Sequence, residues 1–145
     1  MARVSIYLNF PGTTEAAFVF YKAVFRSEFA SSIARFGDMP CGPDQPPLSE
    51  ADRNLVIHVE LPILGGHVLM GTDAPESMGF AVTPGNNMFI NLEPDTRAET
   101  DRLFKALSEG GTIGMPLADM FWSGYFGSLT DRFGISWMFN CMNKS

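Results

Sequence analysis

Charge is scarce in this chain: Asp, Glu, Lys and Arg make up 18% of its 145 residues. So low a share excludes a disordered chain and points to a compact globule or a buried subunit interface. Basic residues are the scarcer sign, 10 against 16 acidic, and no Lys/Arg cluster occurs. A net charge of −6 speaks against nucleic acid, because that binding rests on neutralising phosphates. Cysteine occurs twice, at Cys41 and Cys141, with no zinc-type pair, a usage that fits a reducing cytoplasm. Cys41 has no basic neighbour to favour a thiolate, and Cys141 reads as an inert strand end. No apolar run approaches the roughly 18 residues of a membrane span. The opening Met1-Ala2-Arg3-Val4 lacks the charged-then-apolar pattern of a signal peptide. No glycine-rich loop joins a strand to a helix, which excludes a Walker or Rossmann phosphate cradle, and there is no Gly-x-Ser-x-Gly elbow. The partner expected from these absences is a small molecule, with neither nucleic acid nor membrane.

What the chain does have is apolar bulk: 46% hydrophobic residues, including thirteen Phe and nine Met. Its length suits one domain over residues 1–145, or two half-size units sharing a core, and needs no disulfide or metal to fold. Residues 3–10 read as a strand stopped by Pro11-Gly12, and residues 13–25 as a helix. The apolar face of that helix reads as Ala17, Phe20, Tyr21 and Val24. A strand is expected over 28–36, a proline-rich loop over 37–53, and strands over 54–61 and 67–71, with a loop over 72–85. The pattern then restarts. A strand is expected over 88–93, a helix over 96–108 with a Thr96/Glu99 capping box, and strands over 112–115, 125–130 and 135–141.

That restart is an internal repeat. At a shift of 83, Pro11 meets Pro94, Thr13 meets Thr96, and Lys22-Ala23 meets Lys105-Ala106. Ala17, Phe20, Tyr21 and Val24 meet Thr100, Leu103, Phe104 and Leu107. The closing strands overlay at a shift of 68, residues 66–70 on 134–138. Neither half can bury its sheet face alone. The expected fold class is therefore α+β. Two tandem β-α-β-β-β modules, about 3–73 and 87–141, would form a curved, half-open mixed sheet around a central cleft, with the helices outside.

Four segments carry a family resemblance. They are Tyr7-Leu8-Asn9-Phe10-Pro11-Gly12, Phe20-Tyr21-Lys22-Ala23-Val24-Phe25, Leu69-Met70-Gly71-Thr72-Asp73, and the run from Met115 to Cys141. The last holds Phe121-Trp122, Gly124-Tyr125-Phe126-Gly127, Asp131-Arg132-Phe133-Gly134 and Trp137. With these the chain resembles the vicinal oxygen chelate superfamily, which includes glyoxalase I and the bleomycin resistance proteins. Within it, the chain is similar to the PhnB-like branch, also labelled 3-demethylubiquinone-9 3-methyltransferase domain. The resemblance implies a homodimer and, in metal-dependent members, His, Gln or Glu at four strand positions. Carried over, those positions fall at Ile6, Met70, Met88 or Phe89, and Met138, none of which ligates a hard or borderline cation. A one-residue slip brings in Tyr7 and Asn91, which are still poor ligands. No metal and no cofactor is expected. The missing glycine turn and the different sheet also count against the methyltransferase label.

Candidate site residues follow from the cleft. His58 and Glu60 sit two apart on one strand and share a face. They read either as a polar pair in the cleft or as an exposed strand face. As a polar pair they would be a general base with its orienting carboxylate, or two ligands of an off-pattern metal site. Tyr7, Asn9, Asn91, Trp122 and Tyr125 are the candidate ligand-binding set, with parity open between Tyr7 and Leu8. Asn9 and Asn91 would hold a carbonyl or phosphate oxygen, or else close strand ends. Phe121, Trp122, Tyr125, Phe126 and Trp137 form either an aromatic platform or core and dimer interface. His67 reads as surface, Asp73 as an Asx turn, and Asp131–Gly134 as a structural turn. Two functions fit. One is metal-free binding of a small, partly apolar or aromatic molecule. The other is a glyoxalase-, dioxygenase- or isomerase-type enzyme using a relocated metal or His58 as base.

Overall fold

The computed structural model describes residues 2–39, 42 and 47–143. Cys41 lies outside the described residues. The chain divides into two units, Met1–Thr83 and Pro84–Ser145. The first holds β1 (Ile6–Phe10), α1 (Thr14–Phe25), β2 (Ala34–Arg35), α2 (Glu50–Arg53), β3 (Val56–Pro62) and β4 (Val68–Asp73). The second holds β5 (Ile90–Leu92), α3 (Arg97–Ser108), β6 (Thr112–Asp119), β7 (Tyr125–Thr130) and β8 (Ser136–Cys141). The first unit's sheet runs β1-β4-β3-β2 and the second's runs β5-β8-β7-β6. In each, the first and last strands of the unit pair in parallel and the remaining pairs are antiparallel. The class is α+β, with two four-stranded mixed sheets. The β-α-β-β-β order read from the repeat is present in both units.

α1 and α3 each cover one face of their own sheet. In α1 the buried residues are Thr14, Ala17, Phe18, Tyr21 and Val24. The expected face named Phe20, but Phe18 takes the contact and Phe20 is only half-buried. The reason is Gly71 on β4. A Cβ there would lie 2.4 Å from the Phe18 ring, so the missing side chain is what seats that ring. In α3 the buried residues are Thr100, Leu103, Phe104 and Leu107, the face expected from spacing. Gly127 plays the matching part here, since a Cβ would lie 3.0 Å from Phe104. Thr96 caps α3, its hydroxyl accepting from the Glu99 N–H at 3.1 Å.

The stretches between strands depart from expectation. Regular pairing over 28–36 is confined to Ala34–Arg35, although the Ala30 N–H donates to the Glu60 carbonyl at 3.0 Å. The segment 37–53 is not all loop. It ends in α2, capped by the Ser49 hydroxyl. Arg35 ties this region to α1 through a two-pronged pair with Glu15, both contacts 2.9 Å, and donates to the Asn54 carbonyl at 2.7 Å. β6 is longer than its expected 112–115, because bulges let it stay paired with β7 as far as Asp119. β5 is shorter than 88–93.

Candidate functional site

Strand parity decides which side chains meet. Ile6, Leu8 and Phe10 alternate onto the side of β1 that faces α1, beside Leu69, Gly71 and Asp73 of β4. Tyr7 and Asn9 therefore stand on the helix-free face, beside Met70 and Thr72. His58 and Glu60 of β3 share that face, with Glu60 directly across from Met70. Tyr7, Met70 and Glu60 thus form one row across three strands.

Within this face three side chains form a hydrogen-bonded chain. The Tyr7 hydroxyl lies 3.1 Å from His58 Nδ1, and the Glu60 carboxylate lies 3.0 Å from His58 Nε2. The tyrosine and histidine rings sit 5.7 Å apart, tilted by 34°. Arg3 stands 4.0 Å from the other Glu60 oxygen. Both nitrogens of His58 are thereby occupied. Of the three hydrogen-bonded residues, Tyr7 stands at one end and is 46% exposed.

The second unit obeys the same parity. Ile90 and Leu92 stand beside Trp137 and Phe139 on the α3 side, where Phe104 packs edge-on against Phe139 at 5.4 Å. Asn91 therefore lies on the helix-free face, beside Met138 and across from Ser128. Trp122 joins that face through its indole N–H, which donates to Asn140 at 3.2 Å, and through an edge contact with Phe126 at 5.7 Å. Gly124 has no room for a side chain between Trp122 and Asn140, which is what permits that bond. Tyr125 points the other way. Its hydroxyl donates to Asp101 of α3 at 2.6 Å, and Arg97 lies 4.5 Å over its ring. The Asp101 hydrogen bond, with a smaller contribution from burial, holds the Tyr125 phenol above the usual tyrosine range.

The register also corrects the equivalence of Ile6 with Met88 or Phe89. Ile6 stands beside Leu69, and Ile90 beside Trp137, which is 68 places on from Leu69. Ile90 is therefore the counterpart of Ile6, and Asn91 the counterpart of Tyr7. Asn9 and Asn91 do not occupy matching places. The four matching helix-free positions are Tyr7, Met70, Asn91 and Met138, whereas Ile6 faces the helix and Met88 and Phe89 precede β5. In each unit the pair, Met70 with Tyr7 and Met138 with Asn91, offers a hard or borderline cation one oxygen donor beside a thioether, too few to hold it. Among the described residues, no three His, Cys, Asp or Glu side chains gather as a metal cage.

Other polar candidates are absorbed by the fold. Asp73 is 3% exposed, and its oxygens accept the N–H groups of Thr14 at 3.0 Å and Val56 at 2.8 Å. Asp131, equally buried, accepts from the N–H groups of Phe133 and Ile135 and from the Trp137 indole. His67 is half-buried, and its Nε2 accepts from the Ile6 N–H at 3.4 Å. Sequence reading missed Arg3 and Asn140. Asn140 was within reach of it, since it lies two residues beyond Met138 and so shares a face with it.

The model of the 3-demethylubiquinone-9 3-methyltransferase family matches residues 2–139. The chain belongs to this family. Protein YjdN of Escherichia coli strain K12 is 28% identical to it, with 97% of this chain and 96% of YjdN aligned. Protein PA1353 from Pseudomonas aeruginosa has a crystal structure that is 33% identical, with a TM-score of 0.80 over 97% of this chain and 98% of its own. The PhnB protein of Bacillus cereus is 30% identical, with a TM-score of 0.73 over 97% and 99%. Glyoxalase/bleomycin resistance/dioxygenase family structures at 10% and 22% identity superpose with TM-scores of 0.66 and 0.62, a likeness of fold alone. The PhnB-like branch expected from the four segments is thus the family found.

Proposed function

We propose that this PhnB-like chain binds a small, partly apolar or aromatic molecule on the helix-free face of its first unit, without a metal. The observation that carries this reading is the half-exposed Tyr7, its hydroxyl backed by His58 and Glu60 and its ring set beside Met70. A fixed polar group on an otherwise soft surface is what orients such a ligand. Asn9 extends the polar edge of this face. Asn91 and the braced Trp122 are the corresponding groups on the second unit's helix-free face. Tyr125 is committed to Asp101 and Arg97 and is left out of the reading. Methyl transfer from adenosylmethionine, suggested by the family's printed name, lacks support. Enzymes of the common type use a doubly wound parallel sheet with a glycine turn, and both sheets here are mixed.

The hydrogen-bonded chain favours a second reading, an isomerase- or glyoxalase-type enzyme. His58 would move a proton through Tyr7, with Glu60 stabilising the charged ring. One experiment separates the two. Small aromatic compounds are screened by thermal shift, and any that stabilise are followed by mass spectrometry for conversion. The binding reading expects stabilisation that weakens in Tyr7→Phe and no conversion. Conversion that vanishes in His58→Ala puts the enzyme first.

We further propose a cytoplasmic homodimer. The two-cysteine composition supports the compartment. Low charge supports the dimer, as do the exposed Ile113 and Met115 on edge strand β6. No helix among the described residues is long and apolar enough to cross a membrane.

A further inference from the structure

We infer that the Tyr7 hydroxyl meets its ligand as a hydrogen-bond acceptor. The ligand therefore presents an O–H or N–H there, and not a bare carbonyl, ether or phosphate oxygen. The inference rests on the reading of this face as a small-molecule site and names the chemistry of its ligand. It starts from Glu60. A glutamate carboxylate accepts hydrogen bonds and cannot donate. Its oxygen lies 3.0 Å from His58 Nε2, so in the neutral ring that nitrogen carries the proton. The opposite tautomer would turn a nitrogen lone pair onto a carboxylate oxygen. Nδ1 is then the lone pair, and it lies 3.1 Å from the Tyr7 hydroxyl. Tyr7 has one proton and gives it to Nδ1. What it turns outward is oxygen lone pairs.

The groups that set this direction come from three segments: Tyr7 on β1, His58 and Glu60 on β3, and Arg3 ahead of β1 against the far Glu60 oxygen. His58 is a positioning residue. It does not touch the ligand, but it decides which end of a hydrogen bond Tyr7 offers. Without it the hydroxyl turns freely and serves donors and acceptors alike.

Two measurements test the inference. Long-range proton–nitrogen correlation on nitrogen-15-labelled protein at neutral pH reads the tautomer of His58. His67 is the only other histidine, so His67→Gln assigns the signals. The expected result is a proton on Nε2 alone, and a proton on Nδ1, whether alone or together with one on Nε2, overturns the inference. Phenol and anisole are then titrated against the same protein. They share a ring, but only phenol carries a donor. Phenol is expected to bind about fivefold tighter, the scale of one partly exposed hydrogen bond. That preference is expected to fall to about half or less in Tyr7→Phe and in His58→Ala. Equal binding of the two probes, or a preference that survives both substitutions, overturns the inference alone. If neither probe shifts the Tyr7 or His58 signals, the small-molecule reading of the face fails and the inference fails with it.

Discussion

Asp73 and Asp131 show how buried carboxyl groups are held by the N–H donors around them. Each spreads its carboxylate over two or three N–H donors, so removal from water is offset by charge-assisted hydrogen bonds. Asp73 serves two elements at once, the first turn of α1 and the first residue of β3. That is why a residue in a sequence resembling an Asx turn proves structural. At Gly71 the controlling fact is space. The substitution Gly71→Ala forces a methyl group into the Phe18 ring, and its expected cost is about 1–3 kcal/mol of unfolding free energy in urea titration. Unchanged stability would mean that the α1 interface repacks freely. Tyr125 supplies a pH dependence. Its phenol titrates higher in the folded protein than in the unfolded chain, so its contribution is fully present below the unfolded value. It is lost as pH rises through the folded one. The stability advantage of the native protein over Tyr125→Phe should therefore be constant up to about pH 9 and shrink above about pH 10. Urea titrations across that range read it directly.

At the scale of elements, α1 and α3 differ in how they begin. Neither the Thr13 side chain nor any other local cap closes α1, and the Thr14 N–H goes instead to Asp73, 59 residues away. α3 is capped locally by Thr96. The substitution Thr96→Ala should cost about 1 kcal/mol, seen as a lower urea midpoint with an unchanged slope. The local cap was legible in the sequence as a Thr96/Glu99 spacing. Only half of the capping box forms, because the Glu99 carboxylate is drawn to Arg102 at 2.6 and 2.9 Å. The distant cap on α1 had no local signature. The same contrast explains the helix faces. Periodicity placed the whole buried face of α3, yet it chose Phe20 over Phe18 in α1. Both are apolar, and only the glycine on the facing strand discriminates.

At the scale of the molecule, two units with one strand order repeat the same solution. Each has a helix on one sheet face and, on the other, a methionine flanked by the residue from the opening strand: Met70 by Tyr7, and Met138 by Asn91. The equivalent positions hold no cation-binding set. Dialysis against EDTA is therefore expected to leave the unfolding temperature and the oligomeric mass unchanged, as read by thermal denaturation and light scattering. A drop in either that zinc, nickel, iron or manganese restores would place a metal where the register argument has none.

The sequence by itself determined the β-α-β-β-β order of each unit, the repeat, the family and the shared strand face of His58 and Glu60. These are local or periodic properties: strand alternation, helix spacing and matching segments at constant shift. Only the tertiary structure decided that Tyr7, and not Leu8, joins them, that Asn91 is its counterpart in the second unit, and that Tyr125 turns toward α3. Those outcomes depend on strand register. A shift of one residue exchanges every side chain between two faces, and register is set by partners far away in the chain.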